Sequence, residues 1–345
     1  MRRYLLSFLV FLFFLSSIQA QRTLPTVQVL TSGTKTSLRG LSVVNDQVIW
    51  VSGSNGTVGR SSNGGKDWKW MVVKGFDSVD FRDIEGFDAA TAVIMGTGSP
   101  AHILKTNDGG ESWKVVYENK GSAMFLDAME FWNERAGIVI GDPINGRFFV
   151  ARSFDGGSSW KEIPEDRRPV ADSGEACFAA SGTNVRALDN DEAIFISGGL
   201  SSNVFIRDKK IKLPLLQGKE TTGANSIAVW DRYHKKGGSR LVVVGGDFNQ
   251  RNSDSLNCAY STDRGKTWKL SKTPPHGYRS CVEYLDKKIL VACGLTGVDF
   301  SSDNANNWKQ ISNEGFHVCR IAKLGTAVFF AGGNGKIGKL VFEEK

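Results

Sequence analysis

The sequence has few histidines, no run of basic residues and, after residue 20, no long apolar stretch. Its four histidines have no ligand spacing to cysteines or carboxylates, so no metal centre is indicated. The lysine and arginine pairs are scattered and not interleaved with aromatics, which argues against a nucleic-acid groove. No Gly-x-Gly-x-x-Gly motif is present. We therefore expect no metal, no cofactor and no nucleic-acid partner.

The N-terminal segment predicts export. Arg2 and Arg3 precede an apolar stretch at 4–15, and the following polar residues end in Ala20, a small residue suited to signal cleavage. The stretch is short for a membrane span, and an uncleaved anchor is the open alternative. We expect a signal peptide over 1–20, a mature chain over 21–345 that is periplasmic or secreted, and no transmembrane segment after cleavage.

One short motif, S/T-x-D-x-G-x-x-W, recurs along the chain at 106–113, 153–160 and 261–268, with variants at 61–68 and 301–308. Its aspartate suits a hairpin turn as an acceptor of backbone N–H bonds, and its glycine supplies positive φ. The role in a turn accounts for the residues of the motif, so its aspartates are not assigned as calcium ligands or catalytic groups. Asn63 can still accept such bonds. Ala305 replaces the glycine in the last copy, so we expect a different turn there.

A second repeat sets the number of structural units. Apolar runs end in glycine at seven places: Gly53, Gly96, Gly141, Gly198, Gly245, Gly294 and Gly332. Their spacing matches a blade of four short strands, about 40–50 residues. The chain is therefore predicted to be all-β, a single seven-bladed β-propeller domain over 21–345. Segment 27–30 is expected to complete the last blade beside 339–342, which leaves no free sheet edge.

Five cysteines in a chain expected to be exported raise the question of disulfides. Counting along the repeat gives Cys177, Cys281 and Cys319 the same inner-strand position. Other blades carry large apolar residues there: Leu41, Ile84, Met129 and Ile227. The three cysteines are therefore expected to act as small buried hydrophobic residues. Cys293 lies in the next strand of the blade that holds Cys281, so a bond between those two stays open.

The recurring turn resembles the Asp-box, or bacterial neuraminidase repeat, of sialidases and of non-enzymatic propellers. Over the mature chain, the sequence is similar to the photosystem II stability/assembly-factor-like family of Asp-box propellers. The similarity lies in five stretches: 80–84 (DFRDI), 141–143 (GDP), 174–183 (GEACFAASGT), 245–248 (GGDF) and 277–280 (GYRS). Members of that family help to assemble a membrane complex. The resemblance therefore implies a sialidase-like architecture with a chaperone-like or binding role.

Counting back from the seven glycines locates the start of each inner strand, where polar side chains are expected to face one mouth of the central channel, opposite the Asp-box turns. The predicted ligand-binding mouth comprises one residue from each blade: Arg39, Arg82, Asp127, Glu175, Asn225, Arg279 and His317. Asp142 and Asp247 are expected to flank it. Such arginines are good anchors for carboxylate or phosphate groups. Alternatively, the charges pair with one another and only solvate the channel.

These observations predict a monomeric, non-enzymatic propeller that binds a protein or peptide segment of an envelope complex at the arginine-rich mouth and assists its assembly or stability. An anionic small ligand is a further candidate for that mouth.

The alternative is a sialidase-like glycoside hydrolase that acts on an acidic glycan. Arg39, Arg82 and Arg279 would then imitate the arginine triad, and Glu175 and Asp127 the acids. Three points weigh against this alternative. Tyr278 is expected to face away from the channel, the early Arg-Ile-Pro signature is only echoed by 23–25, and sialidases have six blades. No catalytic residue is therefore assigned.

Overall fold

The computed structural model describes residues 24–31, 34–188, 191–207, 209–231 and 237–342, so the predicted signal peptide lies outside the described residues. The strands form seven antiparallel blades of four strands around a channel, and two further short strands extend the sheet of blade 5. Blade 1 consists of Leu38–Val43, Ile49–Gly53, Thr57–Ser61 and Lys69–Val72. Blade 2 consists of Phe81–Gly86, Ala92–Gly96, Ala101–Thr106 and Lys114–Asn119. Blade 3 consists of Leu126–Phe131, Gly137–Ile144, Arg147–Ser153 and Lys161–Glu162.

The other blades follow in chain order. Blade 4 consists of Val185–Ala187, Ala193–Ile196, Asn203–Ile206 and Lys209–Lys212. Blade 5 consists of Thr222–Val229, Leu241–Asp247, Cys258–Ser261 and Lys269–Leu270. Blade 6 consists of Cys281–Asp286, Ile289–Gly294, Gly297–Ser301 and Lys309–Ser312. Blade 7 consists of Val318–Ile321, Val328–Ala331, Ile337–Val341 and Thr26–Thr31. The helical segments of the described ranges are two 3-10 turns, Glu165–Arg167 and Gly333–Gly335, and no helix there is long and apolar enough to cross a membrane. The predicted all-β, seven-bladed propeller is confirmed.

The two ends of the chain close the ring. Thr26–Thr31 runs antiparallel to Ile337–Val341, with Thr26 opposite Val341 and Gln28 opposite Lys339. The N-terminal strand therefore completes blade 7, as the sequence predicted, and this pairing removes the free edge that an open ring of blades would expose.

The hydrophobic core lies between the blades. Clusters of buried residues fill the contacts between blades 1 and 2, 2 and 3, 3 and 4, 4 and 5, and 5 and 6, and a larger cluster joins blades 6, 7 and 1. Strands of the inner half of each blade are buried on both faces, as Ile49–Gly53 and Ala92–Gly96 illustrate. Burial of each large aliphatic side chain contributes about 1.5–3 kcal/mol, so this ring of contacts holds the scaffold that positions the channel.

The Asp-box turns form as expected. In the copy at 153–160, Ser153 Oγ donates to Asp155 Oδ1 at 2.9 Å, while Gly157 N and Ser159 N donate to Ser153 Oγ and Asp155 Oδ1, both at 2.9 Å. Gly156 N donates to the carbonyl of Arg135, in the hairpin between the inner strands of the same blade. The turns therefore brace the channel face that lies opposite the starts of the inner strands.

The prediction of a different turn at 301–308 is wrong. Ala305 adopts φ +67°, its N–H donates to Ser301 Oγ at 3.1 Å, and Asn307 N donates to Asp303 Oδ1 at 2.9 Å, as in the other copies. A left-handed conformation costs a non-glycine residue roughly 1–2 kcal/mol. The side-chain hydrogen bonds and the full burial of Ala305 offset that cost.

Blade 4 departs from the count along the sequence. Its inner strand begins at Val185, which faces Phe195 as Leu41 faces Val51 in blade 1. Cys177 therefore does not occupy the position of Leu41. Cys281 does not occupy it either, because it pairs with Cys293 one residue before Gly294, as Gly40 pairs with Ser52. Of the three cysteines, Cys319 takes the predicted position, and the prediction that all three share it is wrong. Glu175–Ala176 instead pairs with Gly198–Gly199 and extends the sheet of blade 5. The extra residues between this short strand and Val185 fold across the channel mouth.

Candidate functional site

A cavity of about 480 Å³ opens where the inner strands begin, on the face opposite the Asp-box turns. We call it the arginine cavity. It is lined by Arg39, Arg82, Phe125, Asp142, Ala176, Cys177, Phe178, Ala179, Ala180, Asn225, Phe248, Asn249, Arg251, Tyr278, Ser280, Leu295 and His317. Three arginines and four aromatic side chains thus meet at one mouth of the channel.

Irregularities in the inner strands aim polar side chains into the cavity. The pairing register shifts around Arg39 in blade 1, around Arg82 in blade 2 and around Asn225 in blade 5. A β-bulge leaves one residue unpaired and redirects its side chain. The polar residues of these three blades therefore point to the channel axis, although their neighbours on either side are buried between blades.

Two of the arginines hold the segment that crosses the mouth. Arg39 Nη1 donates to the carbonyl of Ala180 at 3.2 Å, and Arg82 Nη1 donates to that of Ala179 at 3.4 Å. Arg82 Nε also donates to Asp80 Oδ2 at 2.8 Å. Within the part of the chain that the structure describes, this is the ion pair formed by a cavity arginine. Arg251 is exposed at the rim. Two of the three guanidinium groups are therefore each anchored to a backbone carbonyl of the crossing segment.

The local field is positive. Burial, together with the charge of Arg82, lowers the pKa of Arg39. Burial and the charges of Arg39, Arg82 and Arg251 lower the pKa of His317 to about 3, so its imidazole is neutral at neutral pH. Its Nε2 lies 3.3 Å from Ser37 Oγ. Burial is the larger cause of both shifts, and the arginine charges add to it. The arginine contribution is the part that would attract an anionic ligand.

Two carboxyl groups lie at one side of this site. Burial raises the pKa of Asp142, whose Oδ1 accepts the N–H of Cys177 at 2.9 Å. Asp127 is fully buried, and burial and the charge of Asp142 raise its pKa well above the usual value, opposed in part by Arg82. Both carboxyl groups therefore lose their negative charge at a higher pH than an exposed aspartate does.

A sequence model of the BNR/Asp-box repeat matches residues 259–270, the hairpin that carries the turn at 261–268. The match agrees with the five turns and the seven blades. The chain is a seven-bladed β-propeller that carries the Asp-box repeat. A search of curated protein sequences found no match to it.

Solved structures similar to this Asp-box propeller include two of YCF48. "YCF48 bound to D1 peptide" is 15% identical, with a TM-score of 0.63 over 92% of this chain and 95% of that chain. YCF48 from Cyanidioschyzon merolae is 16% identical, with a TM-score of 0.62 over 91% and 98%. The WD40 β-propeller domain of Doa1 is 14% identical, with a TM-score of 0.60 over 93% and 98%. At these identities the likeness shows the fold. The predicted resemblance to Asp-box propellers of the assembly-factor type is confirmed at that level.

Five of the nine residues predicted for the mouth of this Asp-box propeller do line the arginine cavity: Arg39, Arg82, Asp142, Asn225 and His317. Asp127 lies behind them, fully buried. Asp247 is buried as well, and its Oδ1 accepts the N–H of Asn249 at 2.9 Å instead of reaching the cavity. Whether these residues bind a ligand stays a prediction.

The predicted place of Glu175 at the mouth is wrong. Its carboxylate is buried under blade 4, where it accepts from Asn203 Nδ2 and Lys210 Nζ, both at 2.8 Å, and from the N–H of Asp172 at 2.6 Å. The reason is the insertion before Val185, which moves Glu175 away from the start of the inner strand.

The predicted place of Arg279 is also wrong. Its N–H donates to the carbonyl of Gly245 in the preceding blade, the bond that Leu38 and Phe316 make at equivalent places, so Arg279 fills a position between blades. It is fully buried against Asp299, with a distance of 2.6 Å from Nε to Oδ2. Blade 6 has no bulge at this point, and its strand is one residue short of the count.

The same shift turns Tyr278 into the cavity, contrary to the expectation that it faces away. Its hydroxyl donates to Asn225 Oδ1 at 2.7 Å, and its ring stands edge-on to Phe248, with 6.4 Å between centroids. Phe248 in turn packs against Phe178 at 5.7 Å. These aromatics and Arg251 were missed by sequence reasoning. The signal for Arg251 and Phe248 was the long connection 246–258, which follows a glycine that ends one of the seven apolar runs.

Proposed function

We propose that this protein is an exported, non-enzymatic propeller that binds an extended segment of a partner protein in the arginine cavity and thereby assists assembly of an envelope complex. The observation that carries the proposal is the meeting of Arg39, Arg82 and Arg251 with a wall of aromatic rings in one open cavity. Arginine donors suit carboxylate groups, and aromatic side chains offer large contact area to a peptide.

The likeness to "YCF48 bound to D1 peptide" supports a peptide as the occupant, since the two structures match over 92% of this chain and 95% of that chain. A rigid ring of blades that presents loops at one mouth is a common arrangement for recognition. Export and the envelope as the site of action rest on the predicted signal peptide.

The test is capture of the partner from the native host. Tagged full-length protein is purified from the envelope beside an Arg39→Ala/Arg82→Ala variant, with Arg135→Ala, an exposed arginine on the opposite face, as the matched control. We expect a defined envelope protein with the wild type and with the control, and its loss with the double variant. Equal recovery with all three folded proteins would refute the arginine cavity as the binding site. N-terminal sequencing of the tagged propeller itself, recovered from the envelope, tests cleavage after Ala20.

A sialidase-like hydrolase is the second candidate, because Tyr278 and three arginines share one cavity. Against it, the Tyr278 hydroxyl donates to the amide oxygen of Asn225 and not to a carboxylate that could activate it. Burial also raises the pKa of Tyr278, which disfavours the phenolate. A fluorogenic sialoside is the direct probe. Turnover that is abolished by Tyr278→Phe would favour the hydrolase over the binding role.

A further inference from the structure

Three of the five cysteines meet at one point in the core. The sulfur atoms of Cys281, Cys293 and Cys319 all lie within 4.8 Å of one another, and all three residues are fully buried. Cys281 and Cys293 face each other across the first two strands of blade 6, and Cys319 lies on the inner strand of blade 7. The other two cysteines, Cys177 and Cys258, are buried in separate clusters.

Packing alone does not call for sulfur at these places. The equivalent pair, directly before the glycine that ends the second strand, is Gly40 and Ser52 in blade 1, Ala128 and Ile140 in blade 3, and Ser226 and Val244 in blade 5, none of which carries a thiol. Around the three cysteines, the cluster is built mainly from aliphatic and phenylalanine side chains. Three thiols therefore face one another within a largely apolar cluster.

The donor set points to a soft, low-coordinate ion. Thiolates select soft metals, among them Cu(I) and Zn²⁺, whereas a structural zinc site is closed by four ligands. Within the described residues, no fourth cysteine, histidine or carboxylate joins the three sulfurs. Metal–thiolate bonds of about 2.3 Å in one plane would set the sulfurs about 4 Å apart, which the observed separations accommodate.

One positively charged side chain acts on this cluster. The guanidinium of Arg320 interacts electrostatically with the sulfur of Cys281. Arg320 is itself held at the channel by Glu283, at 3.7 Å. A cation bound to thiolates at this point would therefore have a balancing charge beside it.

We propose that Cys281, Cys293 and Cys319 form a buried three-sulfur site for a monovalent soft metal ion, with Cu(I) as the ion to be tested. Coordination replaces the thiol protons, which leave to solvent, and involves no change of oxidation state. Because the sulfurs are sealed from solvent, the ion binds before the inner strands of blades 6 and 7 come together. The site is independent of the arginine cavity and of any function proposed for it.

The experiment uses the full mature chain, unfolded and refolded without oxygen in the presence of a reductant and Cu(I) supplied as its acetonitrile complex. Excess ion is removed by a competing Cu(I) chelator. We expect a single copper per chain, a sulfur-only shell by X-ray absorption at the copper edge, and a higher thermal midpoint than for protein refolded without copper.

Matched variants decide whether these three sulfurs hold the ion. Cys281→Val and Cys319→Val are expected to retain the fold and lose the copper, whereas Cys177→Val and Cys258→Val, which alter equally buried cysteines, are expected to keep it. Cys293→Ser provides a second test if a valine variant does not fold. Copper that is absent from the wild type, or that is lost equally from both groups of variants, would overturn the proposal. So would a disulfide among the three in protein isolated from its host with its thiols trapped.

Discussion

The two mouths of the channel use charge in different ways. At the mouth beside the Asp-box turns, a cavity of about 290 Å³ is bordered by Glu85, Glu130, Glu283, Arg320 and Lys323. There the charges are matched with one another. The buried Arg186 lies 3.3 Å from Glu130 and 3.2 Å from Glu283, and Lys323 pairs with Glu85.

The arginine cavity at the other mouth has the opposite balance. Arg39 contacts the carbonyl of Ala180 and no described acid, and Arg82 has Asp80 as its described acidic partner. The comparison teaches that charged channel residues play two roles in this propeller. Matched charges at the Asp-box mouth hold the inner strands together, and the positive charge at the arginine mouth is what the proposed peptide would bind.

The largest expected effect tests the structural role. Replacement of the buried Arg186 by methionine leaves Glu130 and Glu283 without this partner, and removal of one member of a buried ion pair costs about 3–5 kcal/mol. Arg39→Met at the other mouth removes a charge that burial already disfavours and is expected to change stability by less than about 1 kcal/mol. Urea unfolding of both variants measures the difference. Similar losses for the two would erase the distinction between the mouths.

A pH-dependent effect is expected at the arginine mouth. His317 has a folded-state pKa of about 3, below its unfolded value of 6.5, so the unfolded state binds the proton more tightly. The contribution of neutral His317 to the free energy of unfolding is complete above pH 6.5. It is lost as pH falls toward 3, by up to about 1.4 kcal/mol for each pH unit.

The measurement is the free energy of unfolding of wild type and His317→Gln across that range, because their difference isolates this residue from other titrating groups. The gap is expected to narrow steadily below pH 6.5. A gap that stays constant would mean that burial and the arginine charges do not hold His317 neutral.

An intermediate effect tests the binding role. For a peptide of the captured partner, Arg39→Ala and Arg82→Ala are each expected to weaken binding by about 10- to 100-fold, since hydrogen bonds to charged groups contribute about 1.5–3 kcal/mol. Lys323→Ala at the Asp-box mouth is the control and should leave affinity unchanged. Fluorescence anisotropy measures all three. A loss with Lys323→Ala as large as that with the arginine variants would place the peptide elsewhere.

The sequence repeats made the fold more predictable than the candidate site. The glycine spacing and the turn motif each report a local need, positive φ or a run of buried apolar residues, that recurs once per blade. The positions of Arg39 and Arg82 followed from the same count. Glu175 and Arg279 were misplaced because the count assumes equal strand lengths, and an insertion in blade 4 and a missing bulge in blade 6 break that assumption. Tyr278 was missed for the same reason, because a one-residue shift along a strand reverses the face of every side chain.

The smallest expected effect refines the contrast between matched and unmatched charge. Arg82 and Asp80 are each about 30% exposed, and such a pair contributes about 0–1 kcal/mol to stability. Asp80→Asn therefore leaves the unfolding midpoint nearly unchanged, yet it removes the one acid paired with a cavity arginine among the described residues. For an acidic peptide we expect binding to tighten by roughly two- to threefold at low salt and the gain to shrink as salt screens the charge. Weaker binding instead would show that Asp80 orients Arg82 for the ligand, and the two mouths would then share one principle, in which an acid fixes the geometry of each arginine.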